Sequence, residues 1–201
     1  MIITLRPARK IDLMGVGALH QRSRVAAYAD FLPAEALARP TPRAMGRYWT
    51  ERWSYEKRDH SLTVAEHAGR LVGFSYLGPA APDEAGSEPN AAALEPDAPG
   101  AAGGADAAGG AGADAPRTGV LHAIHLDPRW RGRGVGRQLM IDALRTLAGE
   151  GYHRAELWVL VDNLTARRFY ERGGWSCDGV EREDTIGTAL TRQVRYSRPL
   201  P

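Results

Sequence analysis

Fifteen residues from His122 to Gly136, HAIHLDPRWRGRGVG, hold the strongest chemical signal in the chain. Gly132, Gly134 and Gly136 fall within five positions, and Arg131, Arg133 and Arg137 stand between and beside them. Glycine lets the backbone approach a ligand closely and take positive φ, so successive N–H groups can converge on one phosphate. A helix-period pattern follows at once. Its first turn adds N–H donors without acceptors and the positive end of a helix dipole, which suits a pyrophosphate. The arginines contribute fixed charge and paired donors. Two common phosphate motifs are disfavoured. A P-loop needs a lysine and a hydroxyl after its last glycine, whereas Gly136 is followed by Arg137 and Gln138. A dinucleotide fingerprint counted from Gly132 meets Arg137 where its last glycine belongs.

The run Arg131-Gly132-Arg133-Gly134-Val135-Gly136 resembles the R/Q-x-x-G-x-G/A signature of the GNAT family of N-acetyltransferases. Leu126-Asp127-Pro128 matches the hydrophobic-x-Pro end of that family's central strand. Asn163 to Trp175, NLTARRFYERGGW, is similar to its N-x-x-A-x-x-F-Y-x-x-x-G-F segment. The resemblance covers Val120 to Trp175 firmly and the rest more loosely. It implies an α+β fold, an α/β/α sandwich on a mixed, mostly antiparallel sheet of the acyl-CoA N-acyltransferase type. It also implies an acetyl-CoA-dependent N-acetyltransferase in which a primary amine attacks the thioester directly. A catalytically weak acyl-CoA-binding regulatory module of the same fold is the alternative.

By the same resemblance, the loop residues Arg131 to Arg137 hold the pyrophosphate, and the backbone N–H of about Leu126 bonds the thioester carbonyl. Asn163 holds the pantetheine arm and Tyr170 faces the thiol. Spacing agrees, since Asn163, Ala166 or Arg167, and Tyr170 recur at helical intervals on one face. Many members of the family carry a glutamate base on the central strand at positions matching Thr118 or Val120, and neither is acidic here. His122 is the candidate replacement. Two-residue alternation puts it on the face of Val120 and Ile124, with His125 on the other.

These residues need elements to carry them. Ile2 to Leu5 reads as a short strand, and Asp12 as the cap of a helix running to Ala27. Further helices are expected after Pro33 and over about Pro42 to Tyr55, followed by a hairpin around Ala68-Gly69 with Gly73 marking a bulge. The helical region would form one wall of the acceptor site, and its aromatics Tyr48, Trp49 and Trp53 read as core. Val120 to Leu126 is the central strand. A helix from about Val135 ends at Gly149 and Gly151; then come a strand at Leu157 to Val161, a helix from Asp162 or Asn163, and two closing strands. Between Pro79 and Arg117, 28 of 39 residues are Ala, Gly or Pro. Such a segment buries too little apolar surface to order itself, so a disordered insertion between two strands of one domain, 1–201, is expected.

Composition excludes other classes. A length of 201 residues at 43% hydrophobic supports one core. No apolar run is long enough to span a membrane, and the start, MIITLRPARK, does not read as a signal peptide. Cys177 is the single cysteine, which excludes an internal disulfide or a multi-cysteine zinc site; no metal is expected. A net charge of +2 is too balanced to indicate nucleic acid. The expectation is a cytoplasmic enzyme whose acceptor is a small-molecule amine or a protein or peptide amine. Dimerisation, common in the family, leaves a homodimer open.

Overall fold

The computed structural model describes residues 2–80 and 117–201. Strand β1 (Thr4–Pro7) leads through a 3-10 turn into helices α1 (Leu13–Tyr28), α2 (Ala34–Ala38) and α3 (Pro42–Glu56). Strands β2 (Ser61–His67), β3 (Arg70–Pro79) and β4 (Thr118–Leu126) follow. Helix α4 (Val135–Gly149), strand β5 (Arg154–Leu160), helix α5 (Leu164–Arg172) and strands β6 (Ser176–Ile186) and β7 (Ala189–Pro199) complete the chain.

The seven strands form one sheet in the order β1-β2-β3-β4-β5-β7-β6. Every neighbouring pair is antiparallel except β4 and β5, which are parallel. Helices cover both faces. Leu13, Val16, Leu19, Met45 and Trp49 of α1 and α3 bury against Leu62, Val64, Phe74 and Tyr76 on one side. On the other, Met140, Ala143 and Leu147 of α4 and Tyr170 of α5 pack on Leu77, Leu121, Leu157 and Val159. This is the α/β/α sandwich expected from the sequence.

Asp12 stands at the N-cap of α1 as read, but its side chain makes no cap bond; its carboxylate accepts from the Arg9 N–H at 2.7 Å and from Arg6 at 2.7 and 3.0 Å, bracing the 3-10 turn against β1. Helices α1 and α3 also approach more closely than their side chains suggest. A Cβ at Gly17 would collide with the backbone of Met45 and Gly46, so glycine at 17 is what permits the crossing. The hairpin turn falls at Ala68-Gly69 as read, and the β2–β3 register slips beside Gly73.

The expected disordered insertion, 79–117, lies outside the described residues over 81–116, while Pro79 is the last residue of β3. Its two ends are described, and they meet: Pro79 closes β3 opposite Gly119 of β4.

Candidate functional site

β4 and β5 pair only from Thr118–Val120 to Arg154–Glu156. Beyond that β5 keeps its pairing with β7 to Leu160, while β4 keeps its pairing with β3 to Leu126, so a wedge opens between them. The N–H of Asp127 bonds the carbonyl of Val72 on β3 at 2.9 Å. Alternation along β4 therefore turns the N–H groups of Leu126 and Ile124 away from β3, into the wedge. Leu126 is the residue the sequence singled out. Ile124 was missed, although the same two-residue period would have found it.

At the mouth of the wedge, Gly132 and Gly134 take φ of +70° and +82°, and Gly134 is the N-cap of α4. Nothing lies within 4 Å of a Cβ built on either, so backbone angle and not space requires glycine there. Gly136 has the opposite reason: its Cβ would stand 3.2 Å from Leu126 Cδ1 and 3.6 Å from Phe169, so it sets the distance from α4 to the wedge. The first bond inside α4 runs from the Gln138 N–H to the Gly134 carbonyl at 3.1 Å. The N–H groups of Val135, Gly136 and Arg137 consequently have no partner within the helix. Val135 is buried and contributes only this backbone donor.

The arginines divide. Arg131 donates to the carbonyls of Ser23 and Ala26 at 3.1 and 3.2 Å, tying the loop to the end of α1. Arg133 is exposed over the Trp130 ring at 5.4 Å, and Arg137 is exposed on the first turn. Buried Asp127 braces the loop entrance, accepting from the Arg129 N–H and guanidinium at 3.0–3.1 Å and from Arg22 at 3.3 Å. The hydrogen bond from Arg129 holds the Asp127 carboxyl down at about 2 against the cost of burial. A hollow of about 540 Å³ adjoins the loop, with Arg22, Arg70, Arg129 and Arg133 in its walls. Its positive field suits an anionic ligand.

Across the wedge, Asn163 is the N-cap of α5; its Oδ1 accepts the Ala166 N–H at 3.1 Å, leaving its amide hydrogens for other work. Tyr170 is buried among Phe169, Trp175 and Tyr196 at ring distances of 5.5–6.2 Å. Arg167 on the same helix bonds the Tyr196 hydroxyl and the Val161 carbonyl.

His122 departs from the sequence reading. Tyr76 pairs with Ala123 and Leu77 with Leu121, so His122 is the extra residue of a β-bulge. The bulge breaks the alternation. His122 lies against Tyr76 and His60, and His125 lies against Phe74 and His20, which puts both histidines on the α1–α3 face while Ile124 packs on the α4 side. The expected separation of His122 from His125 is thus wrong, because pairing across strands rather than local period decides it. Both nitrogens of the half-buried His122 ring are shielded from solvent. Burial, reinforced by the charges of Arg52 and His60, presses the imidazole down to about 3, so it is neutral at ordinary pH. As a base that retains a proton, His122 is poorly suited.

Around it lies a cluster the sequence did not disclose. Tyr76 donates to Glu56, Arg52 donates to Glu56 at 2.6 Å and to the Tyr48 hydroxyl at 2.7 Å, and the Arg52 guanidinium lies 4.8 Å from the centre of the Tyr76 ring. Tyr48, Arg52 and Glu56 recur every four residues on α3, a stripe visible in retrospect but without a sequence cue to its target. On the β5 side, the Arg182 guanidinium lies 4.3 Å over the Trp158 ring. Among the described residues no group of three His, Cys, Asp or Glu side chains is placed to hold a metal, and no helix is long and apolar enough to cross a membrane.

A family model described as Acetyltransferase (GNAT) family matches residues 28–175. A mycothiol acetyltransferase of Beutenbergia cavernae is 41% identical over 59 residues, 29% of this chain and 20% of that protein. An uncharacterized N-acetyltransferase of Methanocaldococcus jannaschii is 42% identical over 55 residues, 27% of this chain and 24% of its own. The chain thus spans about a fifth to a quarter of the length of these curated relatives. In fold, the chain is similar to the PaiA N-acetyltransferase of Thermoplasma acidophilum in complex with coenzyme A. The TM-score is 0.69 at 16% identity over 99% of both chains. It is also similar to a ribosomal-protein-alanine N-acetyltransferase of Brucella melitensis, at TM-score 0.63 and 16% identity over 98% and 99% of the two chains.

Proposed function

The chain belongs to the GNAT family of acetyltransferases, and from that premise we propose that it transfers an acetyl group from acetyl-CoA to a primary amine by direct attack on the thioester. The observation that carries the proposal is the wedge. A strand end presents two N–H groups, from Ile124 and Leu126, into a slot whose mouth is a glycine loop on a helix N-terminus.

The residues present suit acetyl-CoA. The N–H groups of Gly132 to Arg137 suit the pyrophosphate, and the open space above Gly132 and Gly134 leaves the backbone accessible. The slot suits a thin, amide-bearing arm, with the Asn163 amide at its α5 side. When bound, acetyl-CoA supplies an activated acyl carbon and a thiolate leaving group. The Ile124 or Leu126 N–H would stabilise the oxygen as it gains charge; losing one such donor costs about 3 kcal/mol in barrier. Tyr170 would donate a hydrogen bond to the departing sulfur. Full proton transfer from an ordinary phenol to an ordinary thiolate is uphill by about 2 kcal/mol, so a shared proton serves better than a transferred one. The amine, of a small molecule or of a protein or peptide, would approach from the α1–α3 face past Tyr76 and His122.

Isothermal titration with acetyl-CoA, with NADH and ATP as controls, tests the reading. Binding of acetyl-CoA alone, weakened by Gly136→Val, is the expected result. Tyr170→Phe should slow thiol release in an amine screen while acetyl-CoA binding persists. Failure of the unsubstituted protein to bind acetyl-CoA would overturn the reading.

A further inference from the structure

Arginines elsewhere on this chain stand against carboxylates: Arg6 on Asp12 and Glu66, Arg154 and Arg195 on Glu156 and Asp178, Arg192 on Glu181. The hollow beside the glycine loop breaks that habit. Arg22 from α1, Arg70 from the start of β3, Arg129 from the 3-10 turn after β4 and Arg133 from the loop line it, against one acid, Asp127. Asp127 is only 3% exposed, and both its oxygens are already held by Arg129 and Arg22. Arg70 and Arg133 are exposed and have no hydrogen-bond or carboxylate partner among the described residues. Four guanidinium charges less one carboxylate leave three positive charges uncompensated.

The hollow is about 540 Å³, the size of a small-molecule site rather than of a single ion. Small residues of α1, Gly15 and Ala18, leave its floor open. It lies on the β3 side of β4. Its walls come from α1, the β2–β3 hairpin and residues 127–133, and among the described residues none comes from α4, β5 or α5. The wedge that suits the cofactor lies on the other side of β4, toward β5. Between the two, the bond from the Asp127 N–H to the Val72 carbonyl keeps the sheet closed.

We propose that this hollow is a second anion site, separate from the pyrophosphate cradle, and that it takes a small-molecule polyphosphate. Like charges facing one space repel, and a polyanion among them relieves the repulsion. A phosphate presents its oxygens in a tetrahedral array, so guanidinium forks arriving from different elements can each meet one; a planar carboxylate meets them from fewer directions. Arg129 gives Asp127 its Nε and Nη2 hydrogens, and Arg22 gives it one from Nη2. Each guanidinium keeps further N–H donors for a ligand. Asp127 thus aims two of the arginines while leaving them able to bind. Arg133 belongs to the glycine loop as well as to the hollow, so the two sites share one wall.

Calorimetric titration of tripolyphosphate into protein saturated with CoA reads the hollow alone, because the cradle is then filled. Binding is expected, and it should weaken as salt is raised. Arg70→Glu, at an exposed position, should lower the affinity for tripolyphosphate by about tenfold or more and leave that for CoA unchanged. Ala18→Leu, which fills the floor without altering charge, should do the same. Citrate, with its charge on planar carboxylates, should bind about tenfold more weakly than tripolyphosphate. No uptake by the CoA-saturated protein, undiminished binding by Arg70→Glu, or citrate binding as tight as that of tripolyphosphate would each overturn the proposal. So would a loss of CoA affinity in Arg70→Glu that disappears with 3′-dephospho-CoA, since the arginines would then serve the cofactor's own phosphate. If the protein binds no CoA, the acetyltransferase reading fails, and the Arg70 comparison on unloaded protein still decides this one.

Discussion

Gly134→Ala isolates the conformational demand of the loop from every steric one. Position 134 has φ of +82° and no atom within 4 Å of where a Cβ would sit, so the added methyl meets nothing. Holding an alanine in the left-handed region costs about 1–2 kcal/mol. Alanine is also a poorer N-cap than glycine, by somewhat under about 1 kcal/mol. The unfolded chain loses freedom when glycine is replaced, which stabilises the fold by about 0.4–1 kcal/mol. The two smaller effects nearly cancel, and the net loss is about 1–2 kcal/mol. For a domain of this size that lowers Tm by about 2–8 °C. Thermal melts followed by circular dichroism would measure it, with Gly134→Asn as the control, because asparagine tolerates this region and should lose less than half as much. If the alanine variant melts with the parent, or the asparagine variant melts no higher than the alanine one, the argument from backbone angle is refuted.

Asp127 gives a pH-dependent counterpart. Its carboxyl is held at about 2 by Arg129, below the unfolded value of about 3.9. The stabilisation is therefore complete above about pH 4 and is lost as pH falls toward about 2. Allowing for screening at the exposed Arg129, the contribution is about 1 kcal/mol. The Tm difference between parent and Asp127→Asn should be present at pH 7 and vanish near pH 2; a constant difference would contradict the ion-pair account. Gly17→Ala should cost about 3 kcal/mol, because backbone rather than a movable side chain fills the space, and urea denaturation would show it as a lower midpoint.

What the sequence disclosed is what short-range rules govern. The glycine loop, the strand before it and the helix after it are written in consecutive residues, and so is the α5 stripe through Asn163 and Tyr170. Hidden from it were features set by pairing between distant segments. The face of His122 depends on one extra residue against β3, which no local pattern in β4 reveals. That Arg131 also ties its loop to the carbonyls of Ser23 and Ala26 on α1 has no cue within the loop itself. The seating of His60 against β3 depends on Gly78, 18 positions later, lacking a side chain.

A sheet ordinarily exposes unpaired backbone at its two outer strands, where a stray chain can add itself. Here a further stretch of open edge lies in the middle, between β4 and β5. The Ile124 and Leu126 N–H groups offer a ligand the bonds that an added strand would otherwise take, so inhibitors built on the crevice should carry amide carbonyls spaced to meet those two donors.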